Sequence, residues 1–114
     1  FAMHTYGPDV YVKSSFSAAN YPANLAADWE TLFGFLSPKF AVVPGEWGGR
    51  YGVGGAGVND VKWQDAFVTY MISKGIRSSF YWAYINSGDT GAIVNDDLTV
   101  REDKMKLLRR HWGS

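Results

Sequence analysis

Three predicted strands alternate with three helix-like patterns, and this alternation restricts the possible folds more than any other feature of the chain. The strands are predicted over residues 1–5, 40–43 and 76–82. Each precedes a segment in which apolar side chains recur at helical spacing. Parallel strands need long crossover connections, so alternating strand and helix signals indicate a parallel sheet with helical crossovers. The sequence therefore predicts an α/β fold with three strand–helix units.

Turn and capping residues set the limits of the three predicted helices. The first opens at Pro22 and stops before Pro38. The second is capped at residues 59–60 and ends at Gly75, and the third opens with a capping box at residues 99–102. We expect the following side chains to face the core: Leu25, Trp29, Leu32, Phe33 and Leu36 in the first helix; Trp63, Ala66, Phe67, Tyr70 and Met71 in the second; Met105, Leu108 and Trp112 in the third.

Composition argues against several classes of partner. The chain has 11 basic and 11 acidic residues, so it lacks the electrostatic footprint of a protein that binds nucleic acid or an anionic membrane. No apolar stretch reaches the roughly 20 residues that span a bilayer, and the N-terminus shows no signal-peptide pattern. Cysteine is absent, which removes disulfides and thiolate chemistry. The basic residues of the last helix predict a solvated face: Lys104, Lys106, Arg109 and Arg110.

The predicted sheet is too small to be complete. The 114 residues suit one small domain or a piece of a larger one, and residues 1–114 show no second domain. The first strand begins at residue 1, and three parallel strands with helices on one side would leave the other face bare. Parallel sheets normally have both faces covered. We therefore expect this chain to be the end of a larger α/β fold.

Two common cofactor signals are weak in this sequence. The glycines of residues 52–57 match the dinucleotide-binding pattern, but they lie nine residues beyond Val43 and no acidic residue follows at the required distance. The two histidines, His4 and His111, are far apart in the sequence. Oxygen ligands between residues 89 and 97 fit turn chemistry better than a calcium loop. We predict neither a metal ion nor a cofactor.

Polar and aromatic side chains stand at the ends of all three predicted strands. The second strand stops at Pro44, two residues before Glu46, while His4 and Tyr6 close the first strand and Trp82 closes the third. In a parallel α/β barrel these strand ends share one rim, where active sites form. A glutamate can attack a sugar or stabilise an oxocarbenium-like centre, and an indole can support a sugar face. The pattern predicts a glycoside site.

Three motifs make the family resemblance specific. Residues 4–11, residues 45–49, and residues 80–82 with the loop 86–91 resemble the last three units of glycoside hydrolase family 5 cellulases, in order and over nearly the whole chain. The resemblance implies strands six to eight of a TIM (β/α)₈ barrel. It also implies cleavage of β-1,4-glucans with retention of configuration, by two glutamates, in a secreted enzyme.

The resemblance assigns roles to individual residues. Glu46 matches the family's nucleophile, and His4 and Tyr6 match a pair that contacts both substrate and nucleophile. Trp82 matches the tryptophan that stacks on the sugar beside the cleaved bond. The remaining expected substrate contacts are Trp47, Asn86 and Asp89.

The acid/base glutamate of the family is missing from this chain. It belongs to an asparagine–glutamate–proline motif after strand four, which does not occur here, while Glu30 and Glu102 fall within predicted helices. The implied partners are therefore a β-glucan or cello-oligosaccharide and an N-terminal barrel segment, or a second copy of the chain. Two alternatives remain open: a non-catalytic glucan-binding module that uses Trp47 and Trp82, and an inactive, self-associating half-barrel.

Overall fold

Three α-helices and three short 3₁₀ turns frame the part of the chain that the computed structural model describes, residues 1–113. Helix α1 spans Leu25–Leu32, α2 spans Val58–Ser73 and α3 spans Glu102–Trp112. Helix α2 packs against both α1 and α3. Within residues 1–113 no helix is long and apolar enough to cross a bilayer. The 3₁₀ turns lie at Ser14–Ser17, Gly34–Leu36 and Gly88–Thr90.

Three extended segments pair in parallel, as the alternation of strand and helix signals predicts. The amide of Gly45 donates to the carbonyl of Met3 at 2.8 Å, and that of Thr5 to Glu46 at 3.0 Å. On the other side of the same segment, the Phe80 amide donates to the Pro44 carbonyl at 2.9 Å. The middle segment therefore lies between the first and the third. Regular pairing is brief, with single parallel bridges between His4 and Glu46 and between Trp47 and Tyr81.

The middle segment corrects the predicted strand end. Pairing does not stop at Pro44 but continues to Trp47, whose amide donates to Phe80 at 3.2 Å. Phe40, predicted as the strand start, instead closes a turn by donating to the carbonyl of Leu36 at 2.8 Å. Proline removes one amide from the segment, yet its carbonyl still accepts. The segment passes Pro44 and brings Glu46 into the paired region.

Helices α1 and α3 differ from the pattern read in the sequence. Helix α1 begins three residues after Pro22 and ends at Leu32, whose side chain is exposed. The predicted capping box of α3 is absent. The N-cap residue is Arg101, which makes no side-chain capping hydrogen bond, and the Thr99 hydroxyl donates to Asp97 instead. The C-terminus of α2 agrees with the prediction, since the chain leaves the helix through Gly75 at a φ of +71°.

The buried face of α3 is rotated from the predicted one. Trp112, expected in the core, is 49% exposed. Lys104, expected in solvent, has no accessible surface, and its ammonium lies 5.5 Å from the centroid of the Tyr81 ring. The side chains that α3 buries are Lys104, Leu107, Leu108 and His111.

The core is an aromatic cluster centred on Phe67 of α2. The ring of Phe67 stacks on Trp63 with centroids 5.2 Å apart and meets Trp29 at 4.9 Å and Trp47 at 5.4 Å. Phe67 has no accessible surface. Offset and edge-on ring pairs each contribute about 0.5–1.5 kcal/mol beyond their buried area. This cluster fixes the helices against the paired segments and so positions the ends of those segments.

Gly48 is required where the middle segment passes the third. A Cβ atom at this position would overlap the carbonyl oxygen of Trp82. Gly48→Ala is therefore expected to destabilise the protein by about 1–3 kcal/mol through overpacking. Gly45→Ala, in the same segment, is the matched control, because its Cβ would meet its nearest atom at an ordinary 3.4 Å. Urea unfolding followed by tryptophan fluorescence measures both, and equal losses would contradict the argument.

Candidate active site

His4, Tyr6 and Glu46 come together at the ends of the first and middle segments. The Tyr6 hydroxyl donates a hydrogen bond to Oε1 of Glu46. Nδ1 of His4 lies 3.5 Å from Oε2 of the same carboxylate. The bond from the Thr5 amide to the Glu46 carbonyl sets this register. Each carboxylate oxygen of Glu46 thus faces a different polar side chain.

Burial and charge divide the roles within this cluster. Tyr6 is buried, and the desolvation of its ring raises its pKa well above the ordinary value, with further increases from the Glu46 carboxylate and the charge of Asp89. The phenol therefore remains a hydrogen-bond donor. The side chain of Glu46 is 28% exposed and that of His4 is 62% exposed. A molecule arriving from solvent can reach the carboxylate.

Trp82 lies at the surface, and its amide donates to the carbonyl of Trp47, the residue after Glu46. Its side chain is 44% exposed, and its indole N–H donates to the Ser87 hydroxyl at 3.1 Å. Asn86 and Asp89 follow in the same loop, and both are exposed. Asn86 also lines a cavity of about 330 Å³ together with Arg50 and other residues. These positions leave Trp82, Asn86 and Asp89 free to meet a ligand.

Trp47 is not at the surface, which corrects its predicted contact with substrate. It has no accessible surface, and its ring meets Tyr81 edge-on with centroids 4.8 Å apart. Its indole N–H donates to the Ser79 hydroxyl at 2.9 Å. Successive residues of an extended segment point to opposite faces, so the exposure of Glu46 sends its neighbour Trp47 into the core.

A buried polar network beneath the site was missed by the sequence reasoning. The Asp60 carboxylate, read as a helix cap, accepts from the Tyr51 amide at 2.8 Å and from the Gln64 side chain at 2.6 Å. Gln64 accepts in turn from the Tyr81 hydroxyl at 2.9 Å. Burial raises the pKa of Asp60 to about 6. The helical spacing could have predicted the burial of Asp60 and Gln64, because both residues lie on the same face of α2 as Phe67.

The glycine-rich loop is anchored by Asp9. One carboxylate oxygen accepts from the Arg50 amide at 2.8 Å, and the other accepts from the Ala56 amide at 2.6 Å. A Cβ atom on Gly55 would overlap this carboxylate. Gly55 therefore allows the loop to pack closely around the Asp9 side chain.

The two histidines lie in different surroundings. His4 is at the exposed site, whereas His111 has no accessible surface and its Nε2 lies 2.9 Å from the Ser79 hydroxyl. Burial and the charge of Arg77 lower the pKa of His111. In residues 1–113, no three histidine or acidic side chains come close enough together to hold a metal ion.

Sequence comparison relates this chain to endoglucanases. No family model matches it. The major extracellular endoglucanase of Xanthomonas campestris pv. campestris is 53% identical over 115 residues, covering 99% of this chain and 23% of the relative. An endoglucanase of Paenibacillus polymyxa is 34% identical, covering 96% of this chain and 28% of the relative. The chain thus spans about a quarter of the length of the curated relatives it matches.

Solved structures give the same relation. The catalytic domain of the major endoglucanase from Xanthomonas campestris pv. campestris superposes with a TM-score of 0.94 at 52% identity, covering 99% of this chain and 33% of that one. A cellotetraose complex of the endocellulase from Pyrococcus horikoshii superposes with a TM-score of 0.88 at 42% identity, covering 95% and 30%. The backbone described above is therefore about one third of such a catalytic domain.

The two tryptophans predicted at the rim should respond differently to truncation. Trp47→Ala is expected to cost about 3–5 kcal/mol of stability, because it empties a large buried volume. Trp82→Ala is the matched variant and should cost less than about 1 kcal/mol, since its ring is half in solvent. Thermal and urea unfolding of the two variants provide the comparison. A loss at Trp82 as large as that at Trp47 would contradict the placement of these side chains.

Proposed function

Because this chain is homologous to endoglucanases, we propose that it is the C-terminal segment of a retaining endo-β-1,4-glucanase and that Glu46 is the nucleophile. The observation that supports this most strongly is the accessible Glu46 carboxylate, held between Tyr6 and His4 at the end of a paired segment. The chain covers 33% of the related catalytic domain. The acid/base carboxylate then comes from the remainder of that domain.

Retention requires two carboxyl groups about 5–5.5 Å apart, one acting as acid and the other as nucleophile. Glu46 attacks the anomeric carbon and forms a glycosyl-enzyme ester, while the second group protonates the leaving oxygen. Water then hydrolyses the ester. Tyr6 holds one oxygen of Glu46 by a hydrogen bond and so orients the carboxylate for attack. His4 lies beside the other oxygen and can orient it.

Trp82 is the proposed sugar platform. Its exposed indole donates to the Ser87 hydroxyl, which restricts the orientation of the ring. The apolar face of a pyranose packs against such a ring, while Asn86 and Asp89 are exposed nearby to bind hydroxyl groups. These contacts would hold a β-glucan across Glu46. Cellulose or a related β-1,4-glucan is the proposed substrate.

The non-catalytic alternatives have less support. A glucan-binding module was expected to use Trp47 and Trp82 together, but Trp47 is buried in the core. That leaves one exposed tryptophan from the expected pair. A binding module also gives no reason for a tyrosine and a histidine on the two oxygens of one accessible carboxylate.

The exposed apolar side chains support a covering partner. Phe1 is 68% exposed and Phe80 67%, and Phe1 packs edge-on against Phe40 at 5.8 Å. Within the described residues, no strand pairs with the outer edge of residues 1–5. Open edges and apolar patches favour association. The rest of the barrel is the proposed partner, with self-association as the alternative, and the name of the Xanthomonas relative supports a secreted enzyme.

Glu46 is expected to carry the covalent intermediate. A mechanism-based fluoro-glycoside should label the active full-length protein on the peptide that contains Glu46, because the fluorinated ester is hydrolysed slowly. Glu46→Gln should abolish labelling. Glu102→Gln is the control, since Glu102 pairs with Arg109 on the exposed side of α3. Peptide mapping by mass spectrometry reads the result, and label on another residue would end the assignment.

The 114-residue chain alone is expected to self-associate and to lack endoglucanase activity. Without the second carboxyl group, the leaving oxygen loses the roughly 10²–10⁴-fold that general acid catalysis contributes. Addition of the N-terminal part of the barrel should restore cleavage and reduce self-association, because it covers the same apolar surface. Sedimentation and cellulose hydrolysis assays measure both. A stable, fully active monomer of the chain alone would contradict the proposal.

A further inference from the structure

Two buried side chains and one partly buried serine form a series of hydrogen bonds behind the candidate nucleophile. The indole N–H of Trp47 donates to the Ser79 hydroxyl at 2.9 Å, and that hydroxyl lies 2.9 Å from Nε2 of His111. Neither Trp47 nor His111 has accessible surface, and their rings meet edge-on with centroids 6.1 Å apart. These hydrogen bonds join Trp47, the residue after Glu46, to the third extended segment and to α3.

The indole fixes the direction of the first of these two hydrogen bonds. An indole N–H can only donate, so the Ser79 oxygen accepts and its hydrogen is free for His111. The hydroxyl can donate to Nε2 of His111 or accept from it, depending on the tautomer of the ring. Burial and the charge of Arg77 lower the pKa of His111, which favours the neutral ring. The guanidinium of Arg77 also donates to the His111 carbonyl at 3.4 Å, which holds the end of α3 in place.

The Trp47 peptide connects this chain of hydrogen bonds to both sides of the site. Its amide donates to the Phe80 carbonyl at 3.2 Å, and its carbonyl accepts from the Trp82 amide at 2.7 Å. Glu46 is the preceding residue in the same segment. A shift of the Trp47 backbone would therefore displace the backbone that carries Glu46 and the backbone that carries Trp82.

The polar character of these residues is costly for a core. Buried polar groups destabilise a protein unless they are paired, and Nδ1 of His111 has no hydrogen-bond partner among the described residues. Apolar side chains of similar size would fill the same space without that cost. The retained hydrogen bonds give Trp47 one fixed orientation, which packing by apolar groups alone specifies less tightly.

We propose that Ser79 and His111 are positioning residues: through Trp47 they hold Glu46 and Trp82 in the geometry required for glycosyl transfer. Neither residue contacts the substrate. The proposal rests on the proposed function, because it assigns these residues to the nucleophile and sugar platform of that same site.

A double-mutant cycle in the active full-length protein tests this role. Ser79→Ala should lower kcat about 3–10-fold, the equivalent of one hydrogen bond, with KM changed less than twofold. Trp47→Phe, which removes the donor and keeps a ring, should lower kcat at least as much, because it breaks the same hydrogen bond. The double variant should lose no more than the larger of the two single losses, because both substitutions break the same hydrogen bond. Ser78→Ala, at the exposed neighbouring serine, is the control and should match the parent.

Each outcome separates one claim from another. If Ser79→Ala lowers the melting temperature but leaves kcat unchanged, the residue supports the fold only and the positioning role is overturned. Additive losses in the double variant would also overturn it, since the two residues would then act independently. If Ser79→Ala does not fold, Trp47→Phe with Ser79→Cys provides the cycle, because a thiol of similar size is only a weak hydrogen-bond partner. An inactive parent protein overturns the proposed function itself, and the positioning role with it.

Discussion

Two backbone hydrogen bonds of Trp47 join the middle segment to the third. The Trp47 amide donates to the Phe80 carbonyl at 3.2 Å, and the Trp47 carbonyl accepts from the Trp82 amide at 2.7 Å. The same residue extends its ring into the core, where it meets Phe67 of α2 at 5.4 Å and Tyr81 at 4.8 Å. One residue thus links backbone pairing, the aromatic core and the start of the site. Since Glu46 precedes it in an extended segment, a buried Trp47 directs the Glu46 carboxylate to the opposite, accessible face.

A second constraint comes from charged groups inside the structure. Asp60 has no accessible surface, and its hydrogen bonds to Gln64 and to the Tyr51 amide offset part of the cost of burying a carboxylate. Lys104 is equally buried, and its pKa falls to about 8 because its ammonium is desolvated. These groups lie under the loop that follows Glu46. Asp60 supports that loop directly, because it accepts from the Tyr51 amide, which an apolar core would leave without this partner.

The described residues leave apolar side chains and one edge of the paired segments exposed to solvent. Exposed Phe1 and Phe80 and the open edge of residues 1–5 occur on the paired segments. The relation to one third of an endoglucanase catalytic domain accounts for this exposure. In such a fold the same surfaces would be buried against neighbouring strands. The candidate site and the surface that the proposed partner would cover therefore lie on the same three segments.

The sequence by itself determined the order of strands and helices, because local apolar spacing and turn residues such as Gly75 act over a few positions. It also selected His4, Tyr6 and Glu46, which the structure brings together. Only the tertiary structure decided which tryptophan is buried. Trp47 is enclosed and Trp112 is 49% exposed, against the prediction in both cases. Periodicity gives the faces of an element, but distant segments decide which face they cover, and that packing also buried Lys104.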